Sequence, residues 1–217
     1  MNLMEKILNV TRMNLIYKIS LSFLFVIASN LFPINEESYT FKYKESEFKV
    51  NLTNLNDEWN ITYEISHPFF KLSQDTQFSY TNLIQISEIK RNLIVMGGLR
   101  KIEESYKIDH SRKKIKYIKG QLTETLQYDG AIYDDLTAHL YLRLLNIQTD
   151  EEITLNVLER GKIIQKKFIK TISSPDIIKI KEKKEKDKFE LFFKDNSKEI
   201  LKVIQNVNGR EFVWENL

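Results

Sequence analysis

The chain has 217 residues, 42% of them hydrophobic, 12% aromatic and 29% charged, with 33 Lys and Arg against 30 Asp and Glu. That composition excludes a disordered or collagen-like chain, and the length suits one domain with a sizeable core. With no cysteine, a disulfide framework, thiolate metal sites and a cysteine nucleophile are excluded as well.

The first predicted element is a leader. Lys18 precedes the apolar run Ile19–Ala28, and Pro33 and the polar Asn35-Glu36-Glu37-Ser38 follow. A basic flank, an apolar stretch of about ten residues and small residues after it form the pattern of a secretory signal peptide. The run is shorter than the roughly 20 apolar residues of a membrane-crossing helix. Val26 and Ala28 suit the small-residue subsites ahead of a cut before Ser29, and Met13-Asn14-Leu15 repeats Met1-Asn2-Leu3, which makes Met13 a candidate start. Residues 1–28 therefore read as a signal peptide and 29–217 as a single β-rich domain exported to the periplasm. The alternative is an uncleaved segment anchoring the chain to the inner membrane. Once Lys6, Arg12, Lys18 and Glu5 leave with the leader, the remainder is close to neutral. That argues against a nucleic-acid partner, because such binding rests on neutralising phosphates.

From Ser38 onward apolar residues recur every second position, as in half-buried strands. Tyr39-Thr40-Phe41-Lys42-Tyr43, Phe48-Lys49-Val50-Asn51-Leu52 and Trp59-Asn60-Ile61-Thr62-Tyr63-Glu64-Ile65 show the pattern. Further strands are expected over 77–89, 92–96, 99–109, 113–118, 121–128, 153–158, 162–171, 177–182, 188–193, 199–206 and 211–214. Turns are expected at residues 54–57, Gly97-Gly98, 109–111, Gly120, Asp129-Gly130, 173–176 and 195–197. Many short strands and short turns predict a mainly β fold: a curved antiparallel sheet, or an open or closed β-barrel.

One segment breaks the period. Residues 134–145 read as a helix, with Asp134 as N-cap and Asp135 where the helix dipole favours negative charge. Leu136, Ala138, Leu140, Tyr141, Leu142, Leu144 and Leu145 cover most of its circumference, so it is expected to be buried against the concave face of the sheet as a plug or lid. Asp135, His139 and Arg143, spaced four apart, form its one ionic stripe. With Tyr141 they are the candidate ligand-binding residues. The plainer reading of the stripe is pairing along the helix surface, with about 0.2–0.5 kcal/mol per pair.

The rest of the chain offers little chemistry. His67, His110 and His139 are far apart in sequence, so no metal site is expected. Adjacent Glu103 and Glu104 point to opposite faces of a strand. There is no phosphate loop and no nucleophile elbow, and neither a cofactor nor a catalytic residue is expected. The basic stretches 112–119 and 179–188 suit a solvated strand face guarding an edge, or peripheral contact with an anionic membrane surface.

The segment Tyr128-Asp129-Gly130-Ala131-Ile132-Tyr133-Asp134-Asp135-Leu136-Thr137-Ala138-His139-Leu140-Tyr141-Leu142-Arg143 resembles a motif of an exported bacterial family, domain of unknown function 3108. Ile153–Val157, Gly161-Lys162, Phe189–Asp195 and Ile200–Val203 are similar to that family's later strands and turns. The resemblance implies a periplasmic or otherwise exported β-rich protein without established catalytic residues. Asp134 matches its capping aspartate and Arg143 its arginine.

These readings converge on a non-enzymatic envelope protein holding an apolar or lipid-like ligand in the concave face. The alternatives are an assembly protein that pairs its strand edges, such as those near 177–193, with envelope proteins, or a hydrolase with dispersed catalytic residues.

Overall fold

The computed structural model describes residues 36–43, 46–56, 58–81, 83–95, 98–145, 150–183, 189–207 and 210–216. The leader expected over 1–28 lies outside the described residues. Apolar–polar alternation, regular in β1 to β3 and interrupted in β4, marks the first run of strands: β1 (Glu37–Tyr43), β2 (Ser46–Leu55), β3 (Glu58–His67), β4 (Phe70–Tyr80), β5 (Ile84–Val95), β6 (Arg100–Asp109), β7 (Lys114–Lys119) and β8 (Leu122–Gln127). Helix α1 (Asp135–Leu144) interrupts the series. Six more strands complete it: β9 (Glu152–Glu159), β10 (Lys162–Ser174), β11 (Ile177–Glu182), β12 (Phe189–Lys194), β13 (Ile200–Val207) and β14 (Arg210–Asn216).

All fourteen strands form one sheet, ordered β8-β7-β6-β5-β4-β3-β2-β1-β14-β13-β12-β11-β10-β9. Every sequential pair except β8 and β9, which α1 separates, is an antiparallel hairpin, and β1 joins β14 through the register Phe41↔Asn216 and Lys42↔Glu215. Among the described residues the fold is therefore mainly β and antiparallel with one helix, as the periodicity predicts, and the sheet is open: β8 and β9 are its edges.

The β9 side of that opening is partly covered. Tyr133, just ahead of α1, lies parallel to β9; its N–H donates to the Asn156 carbonyl at 3.0 Å, and Leu158 N–H donates to the Tyr133 carbonyl at 2.8 Å. From the other half of the sheet, Tyr106 on β6 reaches the β9–β10 turn, where its hydroxyl accepts from Gly161 N–H at 2.8 Å. Gly161 has φ +74°, and a Cβ there would sit 2.6 Å from the Tyr117 ring. Glycine is required at that position both by the backbone and by the close approach. The inner face carries the core, with Phe41, Phe78, Ile86, Tyr106, Phe168 and Phe193 among its largest fully buried side chains.

Two expectations are corrected. The strand expected over 77–89 is the end of one strand and the start of the next, since β4 begins at Phe70 and β5 at Ile84. The inward positions Gln74 and Thr76 of β4 are buried but polar, so its first half lacks the apolar alternation. The stretch 177–193 is also not an edge: β11 pairs with β10 and β12, and β12 with β13. The basic stretch 112–119 falls on β7, where Lys114 and Lys116 are exposed while Ile115 and Tyr117 are buried. It is a solvated strand face one strand in from the edge.

Substituting Gly161 tests the contact across the opening. Gly161→Ala is expected to lower stability by about 2–3 kcal/mol through backbone strain and the clash with Tyr117. Gly120→Ala, also at positive φ but with nothing near a Cβ, should lose only about 1 kcal/mol. Urea denaturation of the two variants checks the difference; equal losses would mean that the β9–β10 turn does not pack against Tyr117.

Candidate functional site

The site begins at the helix N-terminus. Asp134 has no exposed surface, and a carboxylate there needs hydrogen bonds to its oxygens. Thr137 supplies two, its N–H and its hydroxyl both donating to Oδ1 at 2.7 Å. Thr137 Oγ1 in turn accepts from Asp134 N–H at 3.0 Å, which closes a capping box. The other oxygen looks outward to β4: Gln74 Nε2 donates at 2.6 Å, and the Thr76 hydroxyl donates to the same Oδ2. One side chain thus starts the helix and fastens it to the sheet.

The other helix residues are tied down in the same way. Asp135 pairs with Lys166 on β10 at 2.6 Å, and Lys166 also meets Glu159 at 3.2 Å. Burial opposes the charge of Asp135, but the Lys166 ammonium outweighs it and holds the carboxyl below its usual range. At the far end Arg143, 4% exposed, donates to Glu37 of β1 at 2.8 Å and to the Lys198 carbonyl at 2.8 Å. Lys170 donates to the carbonyl of Leu145, the helix C-cap, at 3.1 Å. Apolar contact does the rest, with Ala138, Leu140 and Leu142 buried.

Between the two ends His139 lies flat on Phe189, ring centroids 4.0 Å apart and planes 11° apart, with Phe168 edge-on at 6.0 Å. Burial strips the imidazolium of solvent and lowers its pKa to about 4, so the ring is neutral at physiological pH. Among the described residues no hydroxyl is hydrogen-bonded to His139, and no group of three or more His, Asp or Glu side chains could hold a metal ion.

The helix fills part of the concave face and leaves a cavity of about 680 Å³. The strand register explains the make-up of its wall. One inward row runs Tyr39–Val50–Tyr63–Gln74–Arg91–Glu104–Lys119, and the next runs Phe41–Phe48–Ile65–Leu72–Leu93–Ile102. The first row turns polar at Gln74, whereas the second is apolar throughout. Leu191, Val203 and Trp214 continue the apolar wall on the other half of the sheet. Burial pushes the Tyr63 hydroxyl up to about 12, so it stays protonated.

Three of the sequence-predicted residues, Asp135, His139 and Arg143, face this cavity. They do not pair along the helix as the plainer reading has it, because Asp135 and Arg143 take their ion-pair partners from β10 and β1. Tyr141 instead packs on Tyr133, ring centroids 4.9 Å apart. Gln74, Thr76, Arg91, Lys166 and Glu37 are site residues that the sequence reading did not single out. Only the break in alternation at Gln74 and Thr76 offered a signal for any of them.

No family model matches the chain, and no curated protein does. Among the solved structures similar to it are two β-rich proteins. One is a β-barrel-like protein of domain of unknown function 1849 from Brucella abortus, at 9% identity and a TM-score of 0.49, covering 83% of this chain and 93% of that one. The other is a protein of the domain of unknown function 1089 family from Pseudomonas aeruginosa, at 13% identity and a TM-score of 0.43, covering 74% and 89% respectively.

The partly buried His139, whose ring is packed against Phe189 and Phe168, predicts a pH dependence. Its folded pKa, about 4, lies below the ordinary 6.5, so the unfolded chain binds the proton first as pH falls. The contribution of His139 should be fully present above pH 6.5 and decline towards pH 4, by at most about 3 kcal/mol. Urea denaturation across that window should show the slope, and His139→Phe should flatten it. A wild-type stability that is level over the window would contradict the enclosure of His139.

Proposed function

We propose that this is a non-catalytic binding protein of the cell envelope, exported by the leader in residues 1–28, which holds an apolar or lipid-like ligand beside α1. The observation that carries the reading is the cavity: about 680 Å³, within the roughly 300–1,000 Å³ typical of small-molecule sites. Its wall is mostly aromatic and aliphatic, with charged groups, most of them in ion pairs, at fixed positions. A protein that needed the space only for packing would fill it, since interiors are close-packed and voids are costly. The resemblance of residues 128–145 to domain of unknown function 3108 supports the same reading. The two residues it marks, Asp134 and Arg143, fasten the two ends of the helix that borders the cavity.

The same reading includes peripheral contact with a membrane, the natural source of an apolar ligand. Phe69, 67% exposed, and Leu99, 84% exposed, sit on the β3–β4 and β5–β6 turns, which the register Phe70↔Val95↔Arg100 puts at one level. Exposed apolar tips beside Arg100, with Lys101 and Lys71 close by in pairs with Glu103 and Glu64, suit an anionic bilayer surface.

Native mass spectrometry of the protein recovered gently from the periplasm tests the proposal. The expected result is a chain beginning at Ser29 with a discrete extra mass that extracts into organic solvent. Leu93→Trp, which fills the cavity from β5, should lower that occupancy at least several-fold. A bare chain that also fails to take up an apolar fluorophore saturably would overturn the binding function, and recovery only from the cytoplasm would overturn the export.

A further inference from the structure

The cations lining the cavity fall into two kinds, apart from Arg160, which is exposed on the β9–β10 turn. Lys166 is paired with Asp135 and Glu159, Lys119 with Glu104 at 2.6 Å, and Arg143 with Glu37. Arg91 on β5 differs. Its Nε donates to Gln74 Oε1 at 2.5 Å, Nη2 donates to the Leu158 carbonyl at 3.4 Å, and the guanidinium lies 5.6 Å from the centre of the Tyr106 ring. None of these partners is a carboxylate. The acid that balances it electrostatically, Asp134, already has both oxygens taken by Gln74, Thr76 and Thr137. A guanidinium carries five N–H donors, so most of those on Arg91 have no acceptor among the described residues, and Arg91 lines the cavity.

Burial works against the charge of Arg91, but Asp134, Tyr106 and Asp135 outweigh it, so the group is held more firmly cationic than usual. A partly buried cation with open donors is a ready partner for an oxyanion, which a guanidinium can bind through two parallel hydrogen bonds. The sheet places the complementary apolar surface next to it. Arg91 stands between Gln74 and Glu104 in one inward row, and the row two residues on is Leu72–Leu93–Ile102. Glu104 would repel an anion if its charge were open, but it is committed to Lys119.

We infer that Arg91 is the head-group site of the cavity and that the ligand class is an amphipathic anion, an acyl or alkyl chain ending in an oxyanion, with its tail along Leu93 and its neighbours. The inference rests on the binding function proposed above and narrows it to one chemistry. The rival account is that Arg91 only neutralises Asp134 through Gln74, with no part in binding.

Four probes of equal chain length separate the accounts: dodecanoate, dodecyl phosphate, dodecanol and dodecyltrimethylammonium. Each is titrated below its micelle concentration against a neutral apolar fluorophore bound to the purified wild-type protein. At least one of the two anions should displace the fluorophore about tenfold to a hundredfold more tightly than dodecanol, as expected for a charge-assisted hydrogen-bonded head group. Whichever anion leads identifies the head as carboxylate or phosphate. Arg91→Met should remove that preference, the anions then binding no more tightly than dodecanol, and Arg91→Lys should restore part of it. Equal binding of alcohol and anions by the wild type, or an anion preference that survives in Arg91→Met, would overturn the head-group assignment and leave the cavity's binding function standing. Binding of none of the four, nor of the fluorophore, would instead overturn the binding function itself. The wild-type comparison needs no variant, so it decides the matter even if Arg91→Met fails to fold.

Discussion

The structure turns on one carboxylate that has left solvent. Asp134 is fully buried, and an uncompensated charge in that position would destabilise the fold by several kcal/mol. Satisfying it requires polar side chains inside the sheet, at Gln74 and Thr76, and a helix that begins one residue later. Once α1 starts there, its remaining polar groups also need partners from the walls around it. Lys166 meets Asp135, Glu37 and the Lys198 carbonyl meet Arg143, and Lys170 meets the C-terminal carbonyl. The helix is accordingly a fixed wall of the concave face. Its fastenings join elements far apart in sequence, which makes the helix and the curvature of the sheet mutually dependent.

The cavity follows from that arrangement. A ten-residue helix cannot fill the inside of a fourteen-stranded sheet, and the apolar rows it leaves uncovered line the space beside it. The polar row that serves Asp134 continues through Arg91, so the network that holds the helix also brings a cation to the cavity wall. Gln74 bridges the Asp134 carboxylate and the Arg91 guanidinium, and so ties the fastening of the helix to the cation on the cavity wall.

What could be read from the sequence was what local pattern controls. Alternation in Tyr39–Tyr43, Phe48–Leu52 and Trp59–Ile65 located β1 to β3, and the cap at Asp134 located α1. The pattern failed at β4, where inward Gln74 and Thr76 answer a carboxylate sixty and fifty-eight residues away. Nothing near them in sequence explains their polarity. The ionic stripe was visible on the helix, yet its partners on β10 and β1 were not, because helical spacing says nothing about which strand lies opposite. Arg91 was hidden for a simpler reason: within Glu88-Ile89-Lys90-Arg91-Asn92 it resembles any charged residue of a solvated strand. Only the register shows that it faces inward while Lys90, paired with Glu88 and largely exposed, does not. The open edges were equally non-local, since strand order is fixed by the pairing of β1 with β14.

Native-state hydrogen exchange tests most directly whether α1 is built into the sheet. The amide of Thr137, bound to the Asp134 carboxylate, and that of Ala138, bound to the Asp134 carbonyl, should exchange no faster than the β4 amides. Under rising denaturant all of them should merge into the global unfolding transition. Helix amides that exchange through a local opening while β4 stays protected would show that α1 moves independently, contradicting the account of Asp134 as the fastening on which the fold depends.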